Sequence, residues 1–350
     1  MSYQKTICRR RDFLRLAALA SPAAILSRRD GASSSSVFAQ KPTMKSIAIL
    51  DAPSNLGLRP PRENHEPGVW RLPQSLRVQG IVKRLNARDA GAVPRLTYSP
   101  DADVETGFRN GPRLAEFTRQ LADRIGALLD HGLFPLVIGG DCSILLGSAL
   151  ALRRRGRYGL CFIDGHNDYS YARDPKWRGR YAAAGLDLAL ATGHGPDALT
   201  NLENLKPYLL EEDVAALGVY HDRADEEFFE VESFYQSKIT IFEAARIRKE
   251  GAEPMARKAL EQVTRDKLPG FWIHLDADVL DKSIMPAVDS PNPGGITFAE
   301  LAATLRVLLR SPRALGMHVT ILDPELDPQR KHAAEFVAIL VEAFHVRNST

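Results

Sequence analysis

The sequence lacks any run of about 18 apolar residues, so it carries no plain membrane-spanning helix. It has three cysteines in 350 residues, too few for a disulfide-built fold, and a chain of this length buries a core without such staples. It also lacks an excess of either charge outside its N-terminus. The formal net charge is +3, but residues 1–39 hold Lys5, Arg9, Arg10, Arg11, Arg15, Arg28 and Arg29 against only Asp12 and Asp30. The remainder is close to −2, which is no electrostatic footprint for nucleic acid. No internal repeat stands out, nor any linker after residue 45. What is present is ordinary globular composition, 44% hydrophobic and 25% charged, which suits one large α/β domain.

The first 39 residues read as an address rather than as structure. Arg10-Arg11-Asp12-Phe13-Leu14-Arg15 resembles a twin-arginine export motif, and a weakly hydrophobic stretch, Leu16 to Leu26, follows it. Val37-Phe38-Ala39 offers a small-residue cleavage site after Ala39. The expectation is an exported, periplasmic protein whose mature part, residues 40–350, is one domain free of the membrane. A basic tail on a cytoplasmic protein is the plainer alternative.

Along that domain, short apolar runs alternate with amphipathic stretches. Ser46–Asp51, Leu133–Ile138, Tyr158–Ile163, Val214–Tyr220, Lys238–Phe242, Phe271–Leu275 and Ala314–Leu322 read as strands. Gln74–Asn86, Arg113–His131, Ile144–Leu152, Glu253–Arg265, Thr297–Leu309 and Ala333–Phe344 read as helices. Thr297 and Glu300 stand at capping-box spacing. The alternation predicts an α/β fold, a three-layer sandwich with a mostly parallel sheet covered on both faces. Ligands of such sheets bind at the carboxyl ends of the strands.

Acids and a histidine gather at those ends. Asp164, His166 and Asp168 follow the Tyr158–Ile163 run at i, i+2 and i+4, a spacing that puts all three side chains on one side of an extended segment. Asp276 and Asp278 follow Phe271–Leu275, and Gly139-Gly140-Asp141-Cys142 follows Leu133–Ile138. Alone, Asp164–Asp168 reads equally well as caps and turns, and Asp276-Ala277-Asp278 reads better that way. Together, converging carboxylates without basic partners call for divalent cations, and shared carboxylates can bridge two of them. Such a pair lowers the pKa of a bridging water toward neutrality.

Gly139-Gly140-Asp141-Cys142-Ser143, Asp164-Gly165-His166-Asn167-Asp168 and Asp276-Ala277-Asp278-Val279-Leu280-Asp281 resemble, in order, the three metal-binding signatures of the ureohydrolase superfamily of arginase, agmatinase and formimidoylglutamase. Gly68-Val69 and Pro291 to Thr297 add to the likeness, which spans residues 45–345. It implies two metal ions, usually Mn²⁺, a small-molecule substrate, and assembly into homo-trimers or hexamers. By the same resemblance Asp164 and Asp276 bridge the metals, Asp168 and Cys142 complete one, and His166 and Asp278 complete the other. Asp141 and Asp281 would support them. His194, in Gly193-His194-Gly195-Pro196, resembles the family's proton-shuttling loop histidine; a solvated bystander is the alternative.

Three positions depart from the family pattern. Cys142 stands where the first signature ends in His, and a thiolate admits Zn²⁺, Fe²⁺, Co²⁺ or Ni²⁺. Cys142 could instead be a small buried residue or pair with Cys161. Ile321 stands where guanidine-specific members carry an acid, and His318 replaces an earlier acid of the same strand. A guanidinium without that acid loses its bidentate bonds, so arginine and agmatine are poor expectations as substrates. The expected activity is hydrolysis of a linear amidine, guanidine or amide C–N bond by metal-bound hydroxide, with Asp168 orienting it and His194 protonating the leaving amine. A non-catalytic binding protein of the same fold, or a supporting subunit of a mixed oligomer, remains open.

Overall fold

A computed structural model describes residues 44–177, 179–220, 225–265 and 268–348. The expected export signal, residues 1–39, lies outside the described residues. The described residues fall in one compact unit, built on an eight-stranded, all-parallel sheet. In chain order its strands are β1 (Ile47–Asp51), β2 (Arg88–Ala92), β3 (Phe134–Ile138), β4 (Gly159–Ile163), β5 (Val214–Leu217), β6 (Thr240–Phe242), β7 (Phe271–Asp276) and β8 (Ala314–Thr320). Across the sheet they run β2-β1-β3-β8-β7-β4-β5-β6. Alternate residues of each central strand feed separate apolar clusters, one on each face. Ile49, Leu136, Ile273 and Met317 point one way, and Leu50, Val137, Phe162 and Trp272 the other. The three-layer expectation holds.

The order places the site. The chain builds β1, β2 and β3, then crosses to β4 on the far side of the gap later filled by β7 and β8. The carboxyl ends of β3, β8, β7 and β4 therefore lie side by side at the sheet's centre, where the direction of winding reverses.

Two local expectations are revised. The helix expected over Gln74–Asn86 is two pieces, Leu72–Val78 and Ile81–Arg84, parted at Gly80, whose φ of 75° ends the first. β2 was not expected at all, because Arg-Asp-Ala-Gly-Ala carries no apolar run. This exposed edge strand is held by its pairing to β1 and by Arg77, which bridges Asp51 and Asp89 at 2.8 Å each. The capping box at Thr297 and Glu300 forms as expected. Among the described residues no helix is long and apolar enough to cross a membrane.

Gly140 lets the β3 loop pass against another backbone. A Cβ there would lie 1.7 Å from the Ser54 carbonyl oxygen, and neither side can yield without moving main chain. Gly140→Ala is expected to lower stability by about 3 kcal/mol, the upper range for overpacking, read as a fall in the denaturation midpoint.

Candidate metal centre

Each of the central strands delivers its chemistry through a short turn. After β3, Asp141 caps the turn Cys142–Ile144, accepting hydrogen bonds from Ser143 N at 2.9 Å and from Ser54 Oγ at 2.7 Å. That fixes Cys142 inward, fully buried. After β7, Asp276 caps the turn Ala277–Val279 by accepting from Asp278 N at 2.7 Å, so both carboxylates are held at once. After β4, the His166 N–H donates to Asp164 Oδ1 at 2.6 Å, and His166 Nδ1 lies 3.0 Å from Asp278 Oδ2.

These turns create two groups of donor atoms, each with all members within 4.8 Å of one another. One holds Cys142, Asp164, His274 and Asp276; the other holds Asp164, His166 and Asp278. Asp164 belongs to both. Cys142 Sγ donates to Asp276 Oδ2 and lies 3.3 Å from Thr320 Oγ1.

Electrostatically the groups are frustrated on their own. Burial, and then repulsion from Asp278, raises the Asp164 carboxyl above its ordinary range. Burial, with repulsion from Asp278 and Asp164, raises Asp276 further. Burial and the neighbouring acids push the Cys142 thiol well up. Among the described residues no lysine or arginine pairs with Asp164, Asp276 or Asp278; the basic side chains beside Asp164 are the His166 and His274 imidazoles, and beside Asp278 that of His166. Anions packed this closely are stabilised by cations, and the carboxylate, imidazole and thiolate donors fit first-row divalent ions. The residues present therefore fit the metals that the sequence implies.

The other expected residues are placed as follows. Asp168 lines the same cleft as Cys142, His166, Asp276 and Asp278 but belongs to neither donor group. The chain turns there, with a φ of 41°, so the extended i, i+2, i+4 alternation does not persist. Burial and repulsion from Asp164 and Asp187 raise its carboxyl. His194 does not line the cleft. It stands half-exposed with Nε2 2.7 Å from Glu211 Oε1 and 2.9 Å from the Tyr169 hydroxyl. The cleft wall in that part of the chain is Ala182, Ala184, Gly185 and Leu186. Asp281 accepts from Ser283 in an exposed turn and does not reach the centre. Cys142 and Cys161 are both buried free thiols, so no disulfide joins them. Ile321 lines the cleft, with a φ of 70° rare for a β-branched residue. His318 lies inside the sheet, fully buried, and makes no wall of the cleft.

Sequence reasoning missed His274, Thr320, Asp187 and Asn292. His274 precedes Asp276 by two, so the alternation of β7 could have found it. Asp187 opens the short helix Asp187–Ala191 and Asn292 sits on a loop, and only folding brings Asn292 Nδ2 to 3.4 Å from His166 Nε2.

The sequence model of the Arginase family matches residues 45–346. The chain belongs to the arginase family. Arginase from Bacillus caldovelox is 27% identical over 313 residues, covering 86% of this chain and 98% of that protein. Arginase from Staphylococcus aureus strain COL is 26% identical, covering 86% and 97%. The solved structure of the B. caldovelox arginase superposes with a TM-score of 0.75 over 86% of this chain and 98% of its own, at 26% identity. Formimidoylglutamase from Bacillus subtilis shares the fold at a TM-score of 0.64 and 19% identity, with 88% of each chain covered.

Within this arginase-family frame Cys142 is a direct test of donor chemistry. Cys142→Ser is a near-isosteric change that keeps a donor facing Asp276 Oδ2. It should weaken zinc or cobalt binding more than manganese binding, because only the softer ions favour sulfur. Competition titrations, and loss of the thiolate absorption of the cobalt form, check this.

Proposed function

We propose that the protein is a binuclear metal-dependent hydrolase that cleaves a linear amidine or amide C–N bond in a small anionic molecule. The observation that carries this reading is the pair of donor groups that share Asp164 and whose Cys142, His166, Asp276 and Asp278 line one cleft. Cys142, Asp164 and Asp276 would hold one ion, and Asp164, His166 and Asp278 the other. When bound, the ions supply Lewis acidity and make a water nucleophilic near neutral pH. Asp168, which lines the same cleft, would accept a hydrogen bond from a water there and take up its proton. Thiolate ligation favours zinc, iron, cobalt or nickel beside the manganese expected from the family.

Substrate choice follows from the walls of the cavity, about 560 Å³. Ile321 presents a hydrocarbon where a guanidinium would need a carboxylate, so arginine and agmatine lose their charge-assisted bonds. Arg59 and Arg180 line the same cavity and suit a carboxylate or similar anion on the substrate. Elsewhere in these loops Arg71 pairs with Glu325 and Arg173 with Glu232, and Arg178 lies outside the described residues. Export through the twin-arginine route, which moves folded proteins, and assembly as a homo-trimer or hexamer belong to the same proposal.

The test is elemental analysis of the purified protein followed by a panel of guanidino, formimino and amide compounds, each with and without a carboxylate. About two ions per chain and turnover confined to anionic, non-guanidine members are expected, and Arg180→Ala should raise KM with kcat little changed. Preferred turnover of arginine would overturn the substrate assignment. Two bound ions with no hydrolysis across the panel would favour the non-catalytic binding protein.

A further inference from the structure

His274 Nε2 lies among the donors of the Cys142 group and looks at first like a fourth metal ligand. Its partners argue otherwise. β7 and β8 pair in parallel with His274 opposite His318. Trp272 Nε1 donates to His318 Nδ1 at 2.9 Å, and Ser148 Oγ lies 2.9 Å from the same nitrogen. His318 Nε2 is 2.5 Å from His274 Nδ1, and His274 Nε2 is 3.2 Å from Asp164 Oδ2. All these side chains are fully buried. The arrangement is built: Phe162 stacks on His274 at 4.5 Å and 7°. Gly316 leaves room for the indole, since a Cβ there would sit 2.2 Å from Trp272 Cζ3.

The direction of the chain follows from one fixed donor. An indole N–H can only donate, so His318 Nδ1 must be bare. Burial and the neighbouring His274 keep His318 neutral. A neutral imidazole with a bare Nδ1 carries its proton on Nε2, and that proton points at His274 Nδ1. His274 Nδ1 therefore accepts, and the His274 proton sits on Nε2, facing Asp164. A nitrogen that carries a proton has no lone pair for a cation.

We propose that His274 is not a metal ligand but a positioning residue, a one-way donor to the carboxylate shared by both metal sites, set by the Trp272–His318 pair. The proposal rests on the metal-centre reading above. Asp164 then accepts one N–H on each oxygen, from His166 N and from His274 Nε2. Its remaining lone pairs are left for the two ions. Partners of this kind fix ligand orientation, and their loss typically weakens metal binding by about 10–100-fold.

The experiment is ¹⁵N NMR of histidine-labelled full-length protein, metal-free and loaded with zinc, with His274→Gln used for assignment. Both rings are expected to be protonated on Nε2, and the His274 Nε2–H is expected to survive zinc loading. Loss of that proton on loading would make His274 a ligand and overturn the proposal. His274→Gln keeps an N–H donor and should retain two zinc ions, whereas His274→Ala should bind them about 10–100-fold more weakly. Trp272→Phe keeps an aromatic ring but removes the fixed donor. It is expected to populate the Nδ1-protonated tautomer of both histidines and to weaken zinc binding. A variant that only loses thermal stability, with tautomers and affinity unmoved, would also overturn it. If the wild-type protein takes up no zinc, the metal-centre reading fails separately, and the metal-free spectrum still decides the direction of the chain.

Discussion

Asp276→Asn is expected to abolish turnover, by more than roughly 100-fold, since even partners behind the ligands cost up to that much, while leaving the fold intact. The substitution is tolerable because Oδ1 can still accept from Asp278 N, and the new amide would face Cys142 Sγ and Thr320 Oγ1, both able to accept. What disappears is one anionic donor of the Cys142 group. Metal content should fall below two ions per chain. The metal-free variant should melt no lower than the metal-free parent, because a buried charge that repels Asp278 and Asp164 is gone. A variant that keeps its turnover would show that these carboxylates do not carry the reaction.

Removing the metals from the parent protein should invert its response to pH. Asp164, Asp168 and Asp276 all have carboxyls raised above 3.8 by burial and mutual repulsion. A group whose folded pKa is raised binds more protons in the folded state than in the unfolded chain. Its stabilising protonation is present in full below the unfolded value and is lost as pH rises through the folded one. The chelated protein should therefore melt at a higher temperature in mild acid than at neutrality. Cations compete with those protons, so the loaded protein should gain most at neutral pH, by about 4 kcal/mol at a thousandfold excess over Kd. Melting curves of both forms between about pH 5 and 8 make the comparison. A chelated protein equally stable across that range would mean that the anions are relieved by something other than metal.

The acids at strand ends were legible because a parallel, doubly covered sheet needs continuous apolar strands, and Asp164 and Asp276 interrupt two of them at their carboxyl ends. Their convergence without arginine or lysine was equally legible as a demand for cations. The edge strand Arg88–Ala92 was not, because it buries no apolar face and is selected only by pairing to β1. His194 was a local motif with two readings, and only the fold shows its side chain beside Glu211 and Tyr169, outside the cleft lining.

By itself the sequence determined the α/β layering, the family and the acids of the centre, since each follows from periodicity or from contiguous motifs. Tertiary structure alone decided which donors meet. Cys142, Asp164, His274 and Asp276 are 134 residues apart at their extremes, and only the crossover that leaves room for β7 and β8 between β3 and β4 puts them within reach. It also decided that His318 faces a histidine inside the sheet rather than a substrate. Side-chain direction on a central strand is fixed by register with its neighbours, and register is a property of the assembled sheet.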